Sequence, residues 1–519
     1  ASHCAGALEI GLSFFIETVA APKCWPRDYG FGSNVCVCST AYCDFIGNIG
    51  PLPRGAALAF ESTKSGLRFE RTVLFRKETD PPDANTVLLV VNPEIRYQKI
   101  FGFGGAFTDA VGLNLRQLPA QLQDAIIASY YSPAGIEYSI ARIPMASTDF
   151  SVRKYTYDDY PNDFSLLNFT LAAEDFYLKI PYMKRAMYMS NRPILFYGSP
   201  WSSPAWMKTN YKLEGRGYLR GNPGGPFYKT WAAYFVRFVQ AYERLGIPIW
   251  GLTTQNEPTA GRVPFYPWQA LGFTPTTQRD FIKLDLGPAL NMAGYGKLKL
   301  MMLDDNRFGI RHWTSEVLSD PEAAKYVHGI AVHWYMDRMV GPRVLDKVHE
   351  SYPDKFILPS EACTGYTLKE RGVKLGSWER AEEYASDILQ DLNHWARGWT
   401  DWNLALDTQG GPNWARNFVD SPIIVNATAQ EFYKQPMYYA LGHFSKFLPR
   451  GSVRIDSRLN QGSAKIEYAA FLTPERAVVV IVLNKGHERI KLRIIDVYGS
   501  ASVQKVIEER SITTFTWHL

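Results

Sequence analysis

The sequence predicts an α/β fold: a (β/α)8 barrel of the TIM type, an attached β-sandwich built from both chain ends, and a small disulfide-bearing β subdomain. Three observations carry that expectation. Between residues 99 and 403, short apolar segments of strand length alternate with longer stretches of helical spacing. Such a rhythm builds a parallel sheet with crossover helices. Before residue 98 and after residue 453, strands occur without helices between them. Four cysteines, Cys24, Cys36, Cys38 and Cys43, crowd one short N-terminal segment.

Eight barrel-strand candidates occupy residues 100–104, 138–144, 193–198, 249–254, 298–304, 329–335, 355–360 and 398–403. The segments between them are long enough for helices, and residues 228–245 show good helical spacing. Eight such units fit closure into a barrel. A doubly wound open sheet is the competing architecture, but neither a G-x-G-x-x-G turn nor a P-loop signature supports it. A chain of 519 residues is too long for one small core and suits a barrel with a satellite domain.

At the chain ends, residues 56–63, 67–75 and 87–91 read as strands. Residues 477–483 form a continuous β-branched and apolar run, fit for a buried strand, and 511–518 form another. This tail needs a partner sheet, and the strands of 52–98 are the candidate.

Composition narrows the function. A net charge of +5 without a long Lys/Arg run or a basic helix argues against nucleic acid, and only weakly favours an anionic membrane surface. No uninterrupted apolar stretch reaches the length of a membrane span. Residues 5–21 are apolar apart from Glu9 and Glu17 and end in Val19-Ala20-Ala21, so residues 1–21 read as a leader remnant or extension. The clustered cysteines form either two disulfides or a metal site; the absence of paired C-x-x-C spacing favours disulfides, which imply an oxidising compartment. Sequons at Asn168 and Asn426 agree with a secretory route. No H-E-x-x-H occurs and the nine histidines show no ligand spacing, so neither metal nor cofactor is expected. No G-x-S-x-G elbow marks a serine hydrolase. The 14 Trp, 30 Tyr and 29 Phe offer flat apolar faces on which sugar rings stack.

In a barrel, chemistry sits at the C-terminal ends of the strands. The fourth strand runs into Gln255-Asn256-Glu257-Pro258 and the seventh into Ser360-Glu361-Ala362. Two carboxylates facing across a pocket are what glycoside hydrolysis requires: one protonates the leaving oxygen, the other attacks the anomeric carbon or activates water. Asn256 supplies an amide for a sugar 2-hydroxyl. Other strand ends carry Asp149, Trp201, Asp304, Asn306, His333, Trp334, Tyr335, Trp399, Asp401 and Trp402. Aromatic walls with a few placed hydrogen-bonding groups make a sugar pocket. Cys363 reads as a free buried thiol.

The motifs Gly102-Phe103-Gly104-Gly105, Arg142-Ile143-Pro144-Met145, Ser199-Pro200-Trp201, Asn256-Glu257-Pro258, His333-Trp334-Tyr335, Ser360-Glu361-Ala362-Cys363 and Arg416-Asn417-Phe418 carry a resemblance. From about Cys24 to its end, the chain resembles the lysosomal acid β-glucosidases (glucosylceramidases) of animals, in glycoside hydrolase family 30. The resemblance implies a retaining enzyme acting on glucosylceramide, with Glu257 as acid/base and Glu361 as nucleophile. It implies a glucose site lined by Asp149, Trp201, Asn256, Trp402 and Asn417, with His333 and Tyr335 close by and Tyr266 at the entrance. It further implies disulfides Cys24–Cys36 and Cys38–Cys43, and a lysosomal enzyme peripheral on the lumenal membrane face, aided by a saposin-type activator and anionic phospholipid. With it, the chain divides into a subdomain (22–51 with 404–435), a sandwich (52–98 with 452–519) and a barrel (99–403 with 436–451). Thr148 stands where the mammalian pattern has Cys, Trp268 replaces a Phe near the entrance, and the loop 365–372 diverges. The rival reading keeps the barrel but takes a xylan, galactan or β-1,6-glucan in an open cleft. Phe265, Tyr266 and Trp268 suggest an apolar rim instead. The sequence sets no oligomeric state.

Overall fold

The computed structural model describes residues 23–52, 54–76, 85–460, 465–497 and 502–519. The leader reading for 1–21, with Cys4, lies outside the described residues. In chain order, β1 (Pro26–Asp28) and β2 (Asn34–Cys38) open the subdomain; β3 (Ala56–Thr63), β4 (Glu70–Phe75) and β5 (Val87–Lys99) follow. The barrel strands are β6 (Gly102–Ala106), β7 (Ile140–Met145), β8 (Leu195–Pro200), β9 (Ile249–Thr253), β10 (Lys299–Asn306), β11 (Gly329–His333), β12 (Phe356–Glu361) and β13 (Gly398–Asn403). Next come β14 (Ala405–Asp407), β15 (Ile423–Asn426) and β16 (Glu431–Lys434). The chain ends with β17 (Val453–Leu459), β18 (Ile466–Leu472), β19 (Ala477–Asn484), β20 (Ile490–Asp496), β21 (Ser502–Ile507) and β22 (Ser511–His518).

The eight strands β6 to β13 form one parallel sheet in the order β12-β11-β10-β9-β8-β7-β6-β13. Its ends meet through main-chain bonds from Arg397 N–H to Ile357 O (2.9 Å) and from Trp402 N–H to Ala362 O (2.8 Å). The expected (β/α)8 barrel is therefore formed. Alternate residues of a strand share a face, and this stacks the interior in layers. Ile140, Tyr197, Met301, Ala331 and Leu358 make an apolar layer. Two residues further along their strands, Arg142, Ser199, His333 and Ser360 make a polar one. That polar layer is the floor of the site.

The glycines of β6 answer to packing. A Cβ on Gly104 would lie 1.9 Å from the Ile140 carbonyl oxygen, and Gly102 holds φ +144 with only 2.0 Å between such a Cβ and Ser139 Oγ. Gly104→Ala is accordingly expected to push β6 off β7 and leave little or no soluble folded protein. Recovery of a variant whose thermal midpoint matches the native chain would contradict this.

The chain ends share a nine-stranded sheet ordered β21-β20-β5-β17-β18-β19-β22-β3-β4. N-terminal β5 pairs with β17 and β20, and β3 with β22. The expected sandwich of both ends is thus present. β19 is buried along its whole length. Val478, Val480 and Val482 face the sandwich interior, while Val479, Ile481 and Leu483 join the core shared with the barrel. A strand covered on both faces loses polar alternation, which explains the continuous apolar run in its sequence.

The third sheet, β1-β2-β16-β15-β14, carries the disulfides Cys24–Cys36 and Cys38–Cys43. β14 follows β13 directly, so this subdomain adjoins the C-terminal face of the barrel. Of the sequons, Asn168 is exposed, whereas Asn426 is half-buried and its Nδ2 donates to Tyr433 Oη at 2.9 Å. Among the described residues, no helix is long and apolar enough to cross a membrane.

Candidate active site

The barrel strands deliver their end residues with irregularities at the rim. Register shifts occur between Leu303 and Asp305 in β10, next to His333 in β11, and between Thr400 and Asn403 in β13. A bulge re-aims the side chains beyond it. Glu257, just past β9, adopts φ +41, and Leu303 and Asp304 adopt φ +69 and +59. Left-handed backbone in such residues costs roughly 1–2 kcal/mol each. The Glu257 N–H donates to Asp304 O at 2.8 Å, so the two strained turns hold each other.

A cavity of about 220 Å³ opens at this face. Its walls include Asp149, Trp201, Asn256, Glu257, Tyr266, Tyr335, Glu361, Trp402 and Asn417, nine of the ten expected catalytic and sugar-site positions. The tenth, His333, is buried beneath Glu257 and does not line the cavity. Phe150, Trp268, Asn306, Cys363, Tyr366 and Val419 complete the lining. Trp201 and Trp402 stack at 5.1 Å, and Tyr266 meets Trp268 edge-on at 4.8 Å. Trp399 and Asp401 alternate with Trp402 along β13 and so turn away from the cavity. Trp399 donates to Asp387, and Asp401 accepts from Tyr384. Burial pushes the Asp401 carboxyl up to about 8, against that Tyr384 bond.

Beneath the two glutamates lies a buried charge network. Arg142 donates to Glu361 Oε2, to Asn256 Oδ1 (2.9 Å) and to Asp304 Oδ2 (2.7 Å). Its guanidinium lies 4.9 Å from the Trp201 ring and 5.5 Å from Trp402. Holding Asn256 by its oxygen leaves the amide nitrogen to face the cavity. Asp304 also accepts from Thr253 and Ser360. Burial opposes its charge, but Arg142 and then His333 outweigh burial and hold the carboxyl well below the usual range. His333 Nε2 lies 3.0 Å from Asp304 Oδ1, and its Nδ1 3.3 Å from Glu257 Oε1. Burial alone would discharge this imidazole; Glu361 and Asp304 reverse that and lift it to about 10. Tyr266 Oη donates to Glu257 Oε2 at 3.2 Å, and Tyr335 Oη to Glu361 Oε1 at 2.7 Å. Asp149 accepts from Asn413 and Asn417, yet burial pushes it up to about 7 against those bonds. Cys363 is free and buried, with its Sγ 3.5 Å from Tyr335 Oη; burial raises its thiol pKa.

Oxygens of Glu257 and Glu361 lie within 4.8 Å of each other and of a His333 nitrogen. Two further donor groups reach that proximity among the described residues. Cys38 and Cys43, beside Asp44, are already joined in a disulfide. Asp337, Asp387 and Asp391 surround Arg307, whose guanidinium forms ion pairs with Asp337 at 2.6 Å and Asp391 at 2.9 Å and so fills a cation's place. At the first group Arg142 and His333 supply the positive charge in the same way.

The model of the glycosyl hydrolase family 30 TIM-barrel domain matches residues 100–448, and that of the family's β-sandwich domain matches 451–515. The chain belongs to glycoside hydrolase family 30. A lysosomal acid glucosylceramidase of Mus musculus is 48% identical over 498 residues, covering 96% of both chains. Putative glucosylceramidase 4 of Caenorhabditis elegans is 47% identical over 89% of this chain and 88% of its own. An endo-1,6-β-D-glucanase of Trichoderma harzianum is 30% identical over 75% and 78%. Among solved structures, SrfJ of Salmonella typhimurium superposes with a TM-score of 0.81 at 25% identity, over 89% of this chain and all of that one. This family 30 glycoside hydrolase therefore has the barrel and the sandwich by sequence as well as by architecture.

The sequence assigned no role to Arg142 or Asn413, and it placed Asp304 among the polar strand ends of the pocket without its partners. Arg142 had left a signal: a guanidinium at the centre of an otherwise apolar strand (Ile140–Met145) must be paired when buried.

Proposed function

We propose that this hydrolase is a retaining β-glucosidase that cleaves glucosylceramide to glucose and ceramide through a covalent glucosyl-enzyme on Glu361. The observation that carries the reading is the carboxylate spacing. Retaining enzymes hold the pair roughly 5–5.5 Å apart, whereas inverting ones leave roughly 6.5–9.5 Å for a water. An approach within 4.8 Å fits the first class. Glu361 receives hydrogen bonds on both oxygens from Arg142 and Tyr335, as suits an attacking carboxylate. Its oxygen bonds to the anomeric carbon as the bond to the ceramide oxygen breaks, and the Glu257 proton passes to that oxygen. Glu257, now a carboxylate, takes a proton from water, whose oxygen attacks the anomeric carbon and releases Glu361. Trp201, Trp402, Asp149, Asn256 and Asn417 would hold the glucose ring, with Tyr266 at the cavity mouth.

Because Glu257 must enter protonated and Glu361 ionised, kcat/KM should follow a bell with an acidic optimum. The disulfides, the sequons at Asn168 and Asn426, and the 48% identity to a lysosomal acid glucosylceramidase support a secretory route to the lysosome. Loops that carry cavity residues also carry exposed apolar side chains: Phe265 (96% exposed), Leu368 (90%), Met339 (76%) and Phe308 (70%). Such a rim suits a peripheral site on the lumenal membrane face, where anionic phospholipid and a saposin-type activator would present the lipid.

The 30% identity to an endo-1,6-β-glucanase keeps a polysaccharide in play. Side-by-side hydrolysis decides: glucosylceramide in mixed vesicles should turn over at least tenfold faster than soluble β-1,6-glucan at about pH 5. The reverse preference would replace the lipid reading with the glucan one.

A further inference from the structure

His333 lies close to the glucose site, as expected of its position, but its ring is buried under Glu257 and is not part of the cavity lining. Each ring nitrogen faces a carboxylate: Nδ1 faces Glu257 Oε1 and Nε2 faces Asp304 Oδ1. Asp304 is itself fixed by Arg142, Thr253 and Ser360 and has no exposed side-chain surface. Asp304, paired with Arg142, accepts from Nε2–H, and a ring that also donates from Nδ1 to Glu257 is a cation.

The other charged and titratable groups around it come from every neighbouring strand. Glu361 ends β12 and bonds to Arg142 of β7. Asp305 of β10 bonds to Thr259, and burial raises its carboxyl pKa. Tyr335 meets the His333 ring edge-on at 6.0 Å, and Tyr266 bonds the far oxygen of Glu257. Asp149 and Cys363 stand further out on the cavity wall. Burial works against charge on Asp149 and Asp305, and the groups in direct contact at the buried centre are two cations, Arg142 and His333, and one anion, Asp304. Neutrality then admits one more negative charge. In the resting enzyme it sits on Glu361; when the glucosyl bond to Glu361 forms and the Glu257 proton leaves with the ceramide oxygen, it sits on Glu257. The total is the same before and after.

We propose that His333 is a positioning residue rather than a sugar ligand: a charged imidazolium, anchored by Asp304, that keeps one of Glu257 and Glu361 ionised, and only one, at each stage of the cycle. It also fixes where the acid proton resides. Nδ1–H donates to Glu257 Oε1, so the carboxylic proton lies on Oε2, the oxygen that Tyr266 also addresses. This inference rests on the reading of Glu257 and Glu361 as the reacting pair.

The test compares the native enzyme with His333→Gln, and with His333→Asn should the first fail to fold. The kcat/KM of a soluble aryl β-glucoside is followed against pH, and binding of a neutral gluco-configured competitive inhibitor and of a cationic iminosugar is measured by calorimetry. Loss of a buried cation should move both limbs of the bell to higher pH by about 1–3 units. The neutral inhibitor should bind within about twofold of the native value, and the cationic one at least tenfold tighter. Limbs that stay in place, or a loss of neutral-sugar binding with an unmoved profile, would make His333 a structural or sugar-binding residue and overturn the proposal. Ring-nitrogen NMR of the native protein gives a readout free of turnover: one histidine should remain charged at about pH 8. Complete discharge of all histidines there overturns the proposal even in an active enzyme. Absence of native turnover would count against the glucosidase reading alone, with the NMR signal still deciding the charge.

Discussion

Glu361→Gln should abolish turnover, lowering kcat by at least about 10⁴-fold while the protein stays folded. The amide matches the carboxylate in shape and its oxygen can still accept from one of Arg142 and Tyr335, so the cavity keeps its outline. What is lost is the charge that attacks the anomeric carbon. Glu257→Gln should behave differently: glucosylceramide, whose leaving oxygen needs a proton, should lose far more rate than an aryl β-glucoside with a good leaving group. Parallel kinetics on the two substrates separate the roles. Equal losses on both substrates for both variants would mean that the glutamates had been assigned to the wrong halves of the mechanism.

Arg142→Gln should cost about 3–5 kcal/mol of stability as well as activity. Arg142 is wholly buried, and so is its partner Asp304, while Glu361 is nearly so. Removing the guanidinium leaves the carboxylates of Asp304 and Glu361 without the cation they share, and breaking a buried pair from one side leaves an uncompensated charge. Arg142→Lys should recover little of this, because an ammonium cannot reach Glu361, Asn256 and Asp304 together in the fork that the guanidinium supplies. Denaturant unfolding of the barrel measures the loss. A variant as stable as the native enzyme would show that Asp304 had taken up a proton or a water and that the network is not a structural charge cluster.

The fold was legible where patterns are local. The β-branched run of β19 marks a buried strand, β11 starts at its expected residue, and β12 starts one residue after its own. β6 was displaced by two residues, from an expected 100–104 to Gly102–Ala106, because a strand of glycines has little apolar signal and is held instead by close backbone approach. In the site, Glu257 and Glu361 could be singled out because one follows a strand closely and the other ends one. The network beneath them could not. Arg142 is neutralised by Asp304 and Glu361, more than 160 residues away in sequence. Asp304 is aimed inward by a bulge that no residue pattern announces. The same bulged rim sets His333 beneath Glu257. Contacts of that range depend on barrel closure, so the two glutamates are legible in the residue order while the groups that set their charge are not.

If Glu361 attacks the anomeric carbon of a gluco-configured β-glycoside, a gluco-configured cyclitol epoxide should trap it. The measurement is treatment of the enzyme at about pH 5, followed by mapping of the adduct by peptide mass spectrometry. A single adduct on Glu361, blocked by a competing β-glucoside, is the predicted result. An adduct on Glu257 or Asp149, or none on protein shown to be folded, would contradict it.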